Sequence, residues 1–109
     1  MNDPALATFT DANFDAEVFR STQPVLVEFS APWCGPCRAL EPVVAELARS
    51  YAGRVKMGQL DVDAHPQMPS RLDVRSVPTL LLFLNGQVVG QIVGAVAKAK
   101  IEALVKKIV

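Results

Sequence analysis

The chain has two cysteines, Cys34 and Cys37, inside the run Phe29-Ser30-Ala31-Pro32-Trp33-Cys34-Gly35-Pro36-Cys37-Arg38. Two thiols at this spacing can close a small disulfide, or reopen it, with little movement of the backbone. The pair follows an apolar strand-like stretch and opens a helix-like one. A helix start supplies free N–H groups and a positive dipole end, which favour thiolate over thiol. This is chemistry for exchanging disulfides. Zinc is the competing reading, but a zinc site normally takes four ligands. The chain offers no other cysteine and one histidine, His65. No metal site is expected.

The two thiols are not equivalent. Cys34 stands at the loop-to-helix junction, where it is expected to be exposed and acidified, and so to be the attacking group. Cys37 lies one turn further in, on the face of Leu40 and Val44, and is expected to be buried. Burial raises a thiol pKa. That asymmetry suits a two-step exchange, in which Cys34 forms a mixed disulfide and Cys37 resolves it.

Glu28 is the one charge in the strand-like run Val25-Leu26-Val27-Glu28-Phe29. A carboxyl buried without a cationic partner has a raised pKa and can take the proton from Cys37. The alternative is an edge-exposed or hydrogen-bonded structural glutamate. Trp33, before the first cysteine in a proline-flanked loop, reads as a surface ring that contacts targets. Pro78 is either a strand-start proline or a cis proline fixing a tight turn. His65 reads as a surface or capping residue, and Met57 and Met68 as packing.

The elements that must position these groups alternate along the chain. Thr10 is a candidate N-cap, with Phe9 and Phe14 as a hydrophobic staple, for a helix running to about Arg20. It ends before Gln23-Pro24, because a residue preceding proline is pushed out of helical geometry. Val25 to Phe29 is a strand apolar on both faces, as a central strand covered by helices would be. From Pro36 to about Tyr51, apolar residues recur at helical spacing, with Pro42 predicted to kink the axis. Gly53 is a stop signal, and Val55 to Asp61 is a second strand. His65 to Leu72 is a short helix or a set of turns. Thr79 to Leu84 is a third strand, and Asn85-Gly86 a type I′ hairpin signal into the strand Gln87 to Val93. Gly94 breaks the chain before a final amphipathic helix with Ile101, Leu104, Val105 and Ile108 inside. The expected architecture is α/β, three layers, with a central mixed sheet flanked by helices.

Length and charge set the outer limits. The 109 residues are one domain by length, spanning 1–109, and half of them are hydrophobic. Eleven acidic and eleven basic side chains cancel. With no basic stripe, nucleic-acid binding gets no support. Met1 to Thr10 shows neither the basic nor the apolar region of a signal peptide, and no apolar run suits a membrane span. A soluble protein of a reducing, cytoplasmic compartment is the expectation.

Trp33-Cys34-Gly35-Pro36-Cys37, Val77-Pro78-Thr79, the Asn85-Gly86 hairpin and Val93-Gly94-Ala95 together resemble the thioredoxin family across nearly the whole chain. The resemblance implies the thioredoxin fold and a cis peptide at Pro78 beside the dithiol. It also implies a flat apolar groove for target polypeptides, lined by Trp33, Val77, Pro78, Gly94 and Ala95. Gly35 and Pro36, between the cysteines, join this substrate-binding set and match the reducing members, whereas oxidising relatives usually carry a histidine there. The implied activity is thiol-disulfide exchange that reduces disulfides in target proteins, recharged by a thioredoxin reductase and needing no bound cofactor. A non-catalytic docking module and a disulfide oxidase or isomerase are the alternatives. Three positions depart from the commonest pattern: Glu28 where aspartate is usual, Ser30 where an aromatic is frequent, and Gln59 where a lysine often pairs with the buried acid.

Overall fold

A computed structural model describes residues 3–109. Five strands form one sheet: β1 (Ala7–Phe9), β2 (Val25–Ser30), β3 (Lys56–Asp61), β4 (Thr79–Leu84) and β5 (Gln87–Val93). Their spatial order is β1-β3-β2-β4-β5. The pairs β1–β3 and β3–β2 are parallel, and β2–β4 and β4–β5 antiparallel. This is the mixed sheet expected. Three α-helices accompany it: α1 (Gly35–Ser50), α2 (Gln67–Arg71) and α3 (Lys98–Lys106).

Side chains alternate across a strand, and each face of the sheet has its own core. One face sets Leu26, Met57, Leu80 and Leu82 against Leu40, Val44 and Leu47 of α1 and Ile101 and Val105 of α3. The other sets Val25, Val27, Phe29, Leu81 and Phe83 against Phe14, Val18 and Met68. At about 1.5–3 kcal/mol for each large apolar side chain buried, the two faces supply the driving force for three layers. Phe14 meets Phe9, Phe19, Phe29 and Phe83 at ring-centroid distances of 5.1 to 6.3 Å. All five phenylalanines of the chain thus share one cluster.

The first helical segment is shorter and wider than predicted. Its N-cap position is Phe14, without a side-chain bond, and Thr10 instead closes the turn before it: its hydroxyl accepts from the Asn13 N–H, while the Asn13 side chain accepts from the Thr10 N–H. This is the reciprocal pairing of a capping box, with asparagine in the third position. The helical bonding that follows is a π-type turn over Asp15–Phe19. The Phe14 and Val18 contacts with the sheet outweigh regular helix geometry there.

The strand β1 has no counterpart in the sequence reading. It pairs only with β3, and Gly58 stands opposite Ala7. A Cβ on Gly58 would collide with the Ala7 carbonyl and the Phe9 ring, so only glycine lets β1 approach. The hairpin between β4 and β5 has positive φ at Asn85 and Gly86, as a type I′ turn requires. Pro42 lies inside α1 without ending it. Ile108 falls just beyond α3 and is half-buried.

Candidate active site

The reactive segments gather at one end of the sheet: the loop after β2, the loop after β3, the loop before β4 and the end of β5. The chain leaves β2 at Ser30 and turns through Ala31-Pro32-Trp33-Cys34, closed by the Cys34 N–H donating to the Ala31 carbonyl at 3.1 Å. Cys34 is the N-cap of α1, with extended backbone, and its Sγ accepts the Cys37 N–H at 3.2 Å. Sulfur therefore occupies the position that a serine or aspartate oxygen usually takes at a helix start, facing an unsatisfied N–H. Cys34 and Cys37 are joined as a disulfide with their Cα atoms 5.3 Å apart.

The exposure expected of Cys34 is not found. Cys34 is 4% and Cys37 2% exposed, both packed with Ala31 under the partly buried Val62 and Val77. In the closed disulfide each sulfur covers the other, and the two valines roof the pair. The asymmetry between the cysteines survives in their backbone roles, cap against first turn, rather than in exposure.

Glu28 is fully buried in the central strand β2, which removes the edge-exposed reading. Its side chain shares a face with Leu26, the face covered by α1. The register places Gln59 of β3 beside it on one side and Leu80 of β4 on the other. Gln59 Nε2 donates to Glu28 Oε1 at 3.2 Å, while Oε2 has no partner among the described residues. Burial pushes the Glu28 carboxyl up to about 7. The Gln59 hydrogen bond works against this shift, and the Glu41 carboxylate adds slightly to it.

Beneath the start of α1 lies an open cleft of about 370 Å³, lined in part by Cys37, Arg38, Glu41, Gln59, Ser30 and Asp61. Glu28 does not line it. Gln59, its hydrogen-bond partner, does.

On the other side of the disulfide stands Trp33, 70% exposed, with Nε1 donating to Asp63 Oδ2 at 2.8 Å. Asp63 is a residue the sequence reading missed. It lies 30 positions away in a polar loop with no periodicity to mark it. Trp33 and Val77 wall a slot of about 160 Å³ together with Val62, Val74, Arg75 and Ser76. The Val77–Pro78 peptide is cis, which settles the alternative left open for Pro78. The Pro78 carbonyl accepts the Gly94 N–H at 2.8 Å, so the loop before β4 and the end of β5 are tied together. Gly94 has φ of +95°. Ala95 lines a separate shallow cleft with Leu40 and Val43, away from Trp33. Gly35 and Pro36 are exposed on the first turn of α1. His65 Nδ1 accepts the Asp11 N–H at 3.3 Å, a capping contact remote from the thiols.

A family model described as Thioredoxin matches residues 5–107. The chain belongs to the thioredoxin family. It is similar to Thioredoxin 1 of Nostoc sp., with 47% identity over 94% of this chain and 96% of that one. Thioredoxin 1 of Synechococcus elongatus is 50% identical over 84% of this chain and 86% of its own. Thioredoxin of Haemophilus influenzae is 48% identical over 84% and 85%. With family membership and the closed Cys34–Cys37 pair, the activity is dithiol-disulfide exchange, and the protein is a protein-disulfide reductase of the thioredoxin type. No helix among the described residues is long and apolar enough to cross a membrane.

Proposed function

We propose that Cys34 is the attacking thiol, Cys37 the resolving thiol and Glu28 the group that takes the Cys37 proton. The observation that carries this assignment is the Cys37 N–H pointing at Cys34 Sγ on the helix N-terminus, a contact that favours a thiolate at Cys34. The Cys34 thiolate attacks one sulfur of a target disulfide, forming a mixed disulfide and expelling the other target sulfur as a thiolate, which is protonated. Cys37 loses its proton and attacks Cys34 Sγ. The Cys34–target bond breaks, the second target thiolate leaves and takes up a proton, and the Cys34–Cys37 disulfide remains. Two electrons and two protons pass to the target.

Glu28 suits the proton step because its pKa of about 7 matches neutral pH. Its bonded partner Gln59 shares a cleft with Cys37, which gives water a way to the neighbourhood of both. On the opposite side, Trp33, Gly35, Pro36, Val77, Pro78, Gly94 and Ala95 are assigned to target binding: the Trp33–Val77 slot is nearest the sulfurs, Pro78 is buried behind Val77, and Ala95 lies in its own cleft. The partners are proteins with accessible disulfides, and a thioredoxin reductase that reopens Cys34–Cys37. A reducing, cytoplasmic setting fits a chain whose two cysteines are both committed to exchange.

Insulin reduction and disulfide trapping test the assignment together. Cys37→Ser is expected to stall as a mixed disulfide through Cys34, and Cys34→Ser to form none. Trapping through Cys37 instead would reverse the roles. A glutathione titration giving a strongly oxidising potential would replace reductase by oxidase.

A further inference from the structure

The Trp33–Val77 slot has a charge at its rim that exchange chemistry does not use. Arg75 is one of its lining residues, three positions before Pro78. Its side chain is 83% exposed, and its Nε donates to Asp73 Oδ1 at 2.8 Å. Among the described residues its two terminal nitrogens have no acceptor. Asp73 itself has φ of +61°, a left-handed conformation that a residue other than glycine adopts uncommonly. The pair Asp73–Arg75 is thus formed within one tight turn. Both partners are solvent-exposed, so it is a weak pair that leaves the planar fork open for a second carboxylate.

The rest of the slot explains why this fork matters. Val62 and Val77 line it and also roof the sulfurs, so a chain in the slot lies against the disulfide. The Trp33 ring is held by Asp63, one of whose carboxylate oxygens accepts that bond while the group keeps its negative charge. The two rims therefore differ in sign: the Asp63 carboxylate beside Trp33, and a guanidinium with free terminal nitrogens, weakly paired to Asp73, beside Val77. The whole chain has no net charge, so this local difference sets which target is attracted.

We propose that Arg75 is a specificity-determining residue, selecting target proteins that carry an aspartate or glutamate within a few residues of the reactive disulfide. The proposal rests on the reading of the Trp33–Val77 slot as the target groove. Arg75 touches neither reacting sulfur, and acts by pairing with the target carboxylate as the chain settles into the slot.

The test uses three disulfide peptides, identical except for glutamate, glutamine or lysine beside one cysteine, and compares kcat/KM for wild type, Arg75→Gln and Arg75→Glu. Wild type is expected to prefer the glutamate peptide over the glutamine peptide by about threefold to fivefold, as an exposed ion pair allows. High salt should erase that preference. Arg75→Gln should bring the ratio of glutamate-peptide to glutamine-peptide rates to about one, and Arg75→Glu should favour lysine. Equal rates on all three peptides in wild type, or a uniform slowing in Arg75→Gln, would overturn the proposal. Trp33→Ala separates the two readings. If it slows every peptide while Arg75→Gln is neutral, the groove stands and Arg75 does not select. If Trp33→Ala changes nothing, the groove reading itself has failed.

Discussion

The two sides of the Cys34–Cys37 disulfide are built from different materials. Toward Glu28, the groups sit on paired strands: Glu28 beside Gln59 and Ser30 beside Asp61, in register on one face of the sheet. Toward Trp33, they sit on loops, held by a tryptophan–aspartate bond, a cis peptide and one hydrogen bond between Pro78 and Gly94. On the strand side a buried carboxyl lies inside an apolar layer, behind an open polar cleft that its partner Gln59 lines; on the loop side a mostly apolar slot opens on the surface. The strand side can therefore change the protonation of a group without changing what binds. The loop side can change what binds without touching protonation.

The sharpest break in that contrast comes from replacing the buried acid. In the oxidised protein the thiols do not titrate, so the stability profile isolates Glu28 from them. Its folded pKa of about 7 lies above the unfolded value near 4.5. The folded state thus binds more protons between those values, and stability is lost as pH rises through them, by about 3 kcal/mol in all. Glu28→Gln is expected to abolish this loss in denaturant titrations from pH 4 to pH 9. It should also slow mixed-disulfide resolution at neutral pH while leaving KM near wild type. An unchanged resolution rate would remove Glu28 from the proton step.

On the loop side, Trp33→Ala is expected to raise KM by about tenfold, the order of an exposed aromatic anchor. It should leave the pH dependence of turnover in place. A shifted pH profile in that variant would mean that the two sides are coupled. The smallest change expected is that of Gln59→Lys, which puts a cation where an amide now donates to Glu28. The Glu28 carboxyl should fall below its present value, moving the stability loss and the resolution profile to lower pH. Stopped-flow resolution rates against pH would show the displacement, and no displacement would mean that the introduced ammonium turns away into the cleft.

The strands that carry the site were legible because both faces are buried, which writes continuous apolar runs such as Thr79 to Leu84. Glu28 stood out against such a run. Gln59 was visible as the position facing the acid only through the family resemblance, but its hydrogen bond needed the register. The strand β1 was not legible, since three residues show no period and its one sign is the absent side chain of Gly58, fifty residues on. The π-type turn of the first helical segment left no mark, because a Thr–Asn pair shows where the chain turns, not how wide the following turns are. A place at a loop-to-helix junction suggests exposure for Cys34, whereas the roof over it comes from Val62 and Val77 in two distant segments. Asp63 was hidden for the same reason. Loop contacts between distant positions leave no local pattern.

The gathering of every reactive loop at one end of the sheet leaves the far end chemically idle. The turn at Gly53 lies there, between the close of α1 and the start of β3; it faces open space, and its φ of +85° favours keeping the glycine itself. The hairpin at Gly86 shares that end, but a Cβ there would meet the Phe19 carbonyl, so it has no such room. The turn around Gly53, with the glycine kept, is therefore the natural splice point for a tether or a guest domain, one that would travel with the protein while the opposite pole goes on trading electrons.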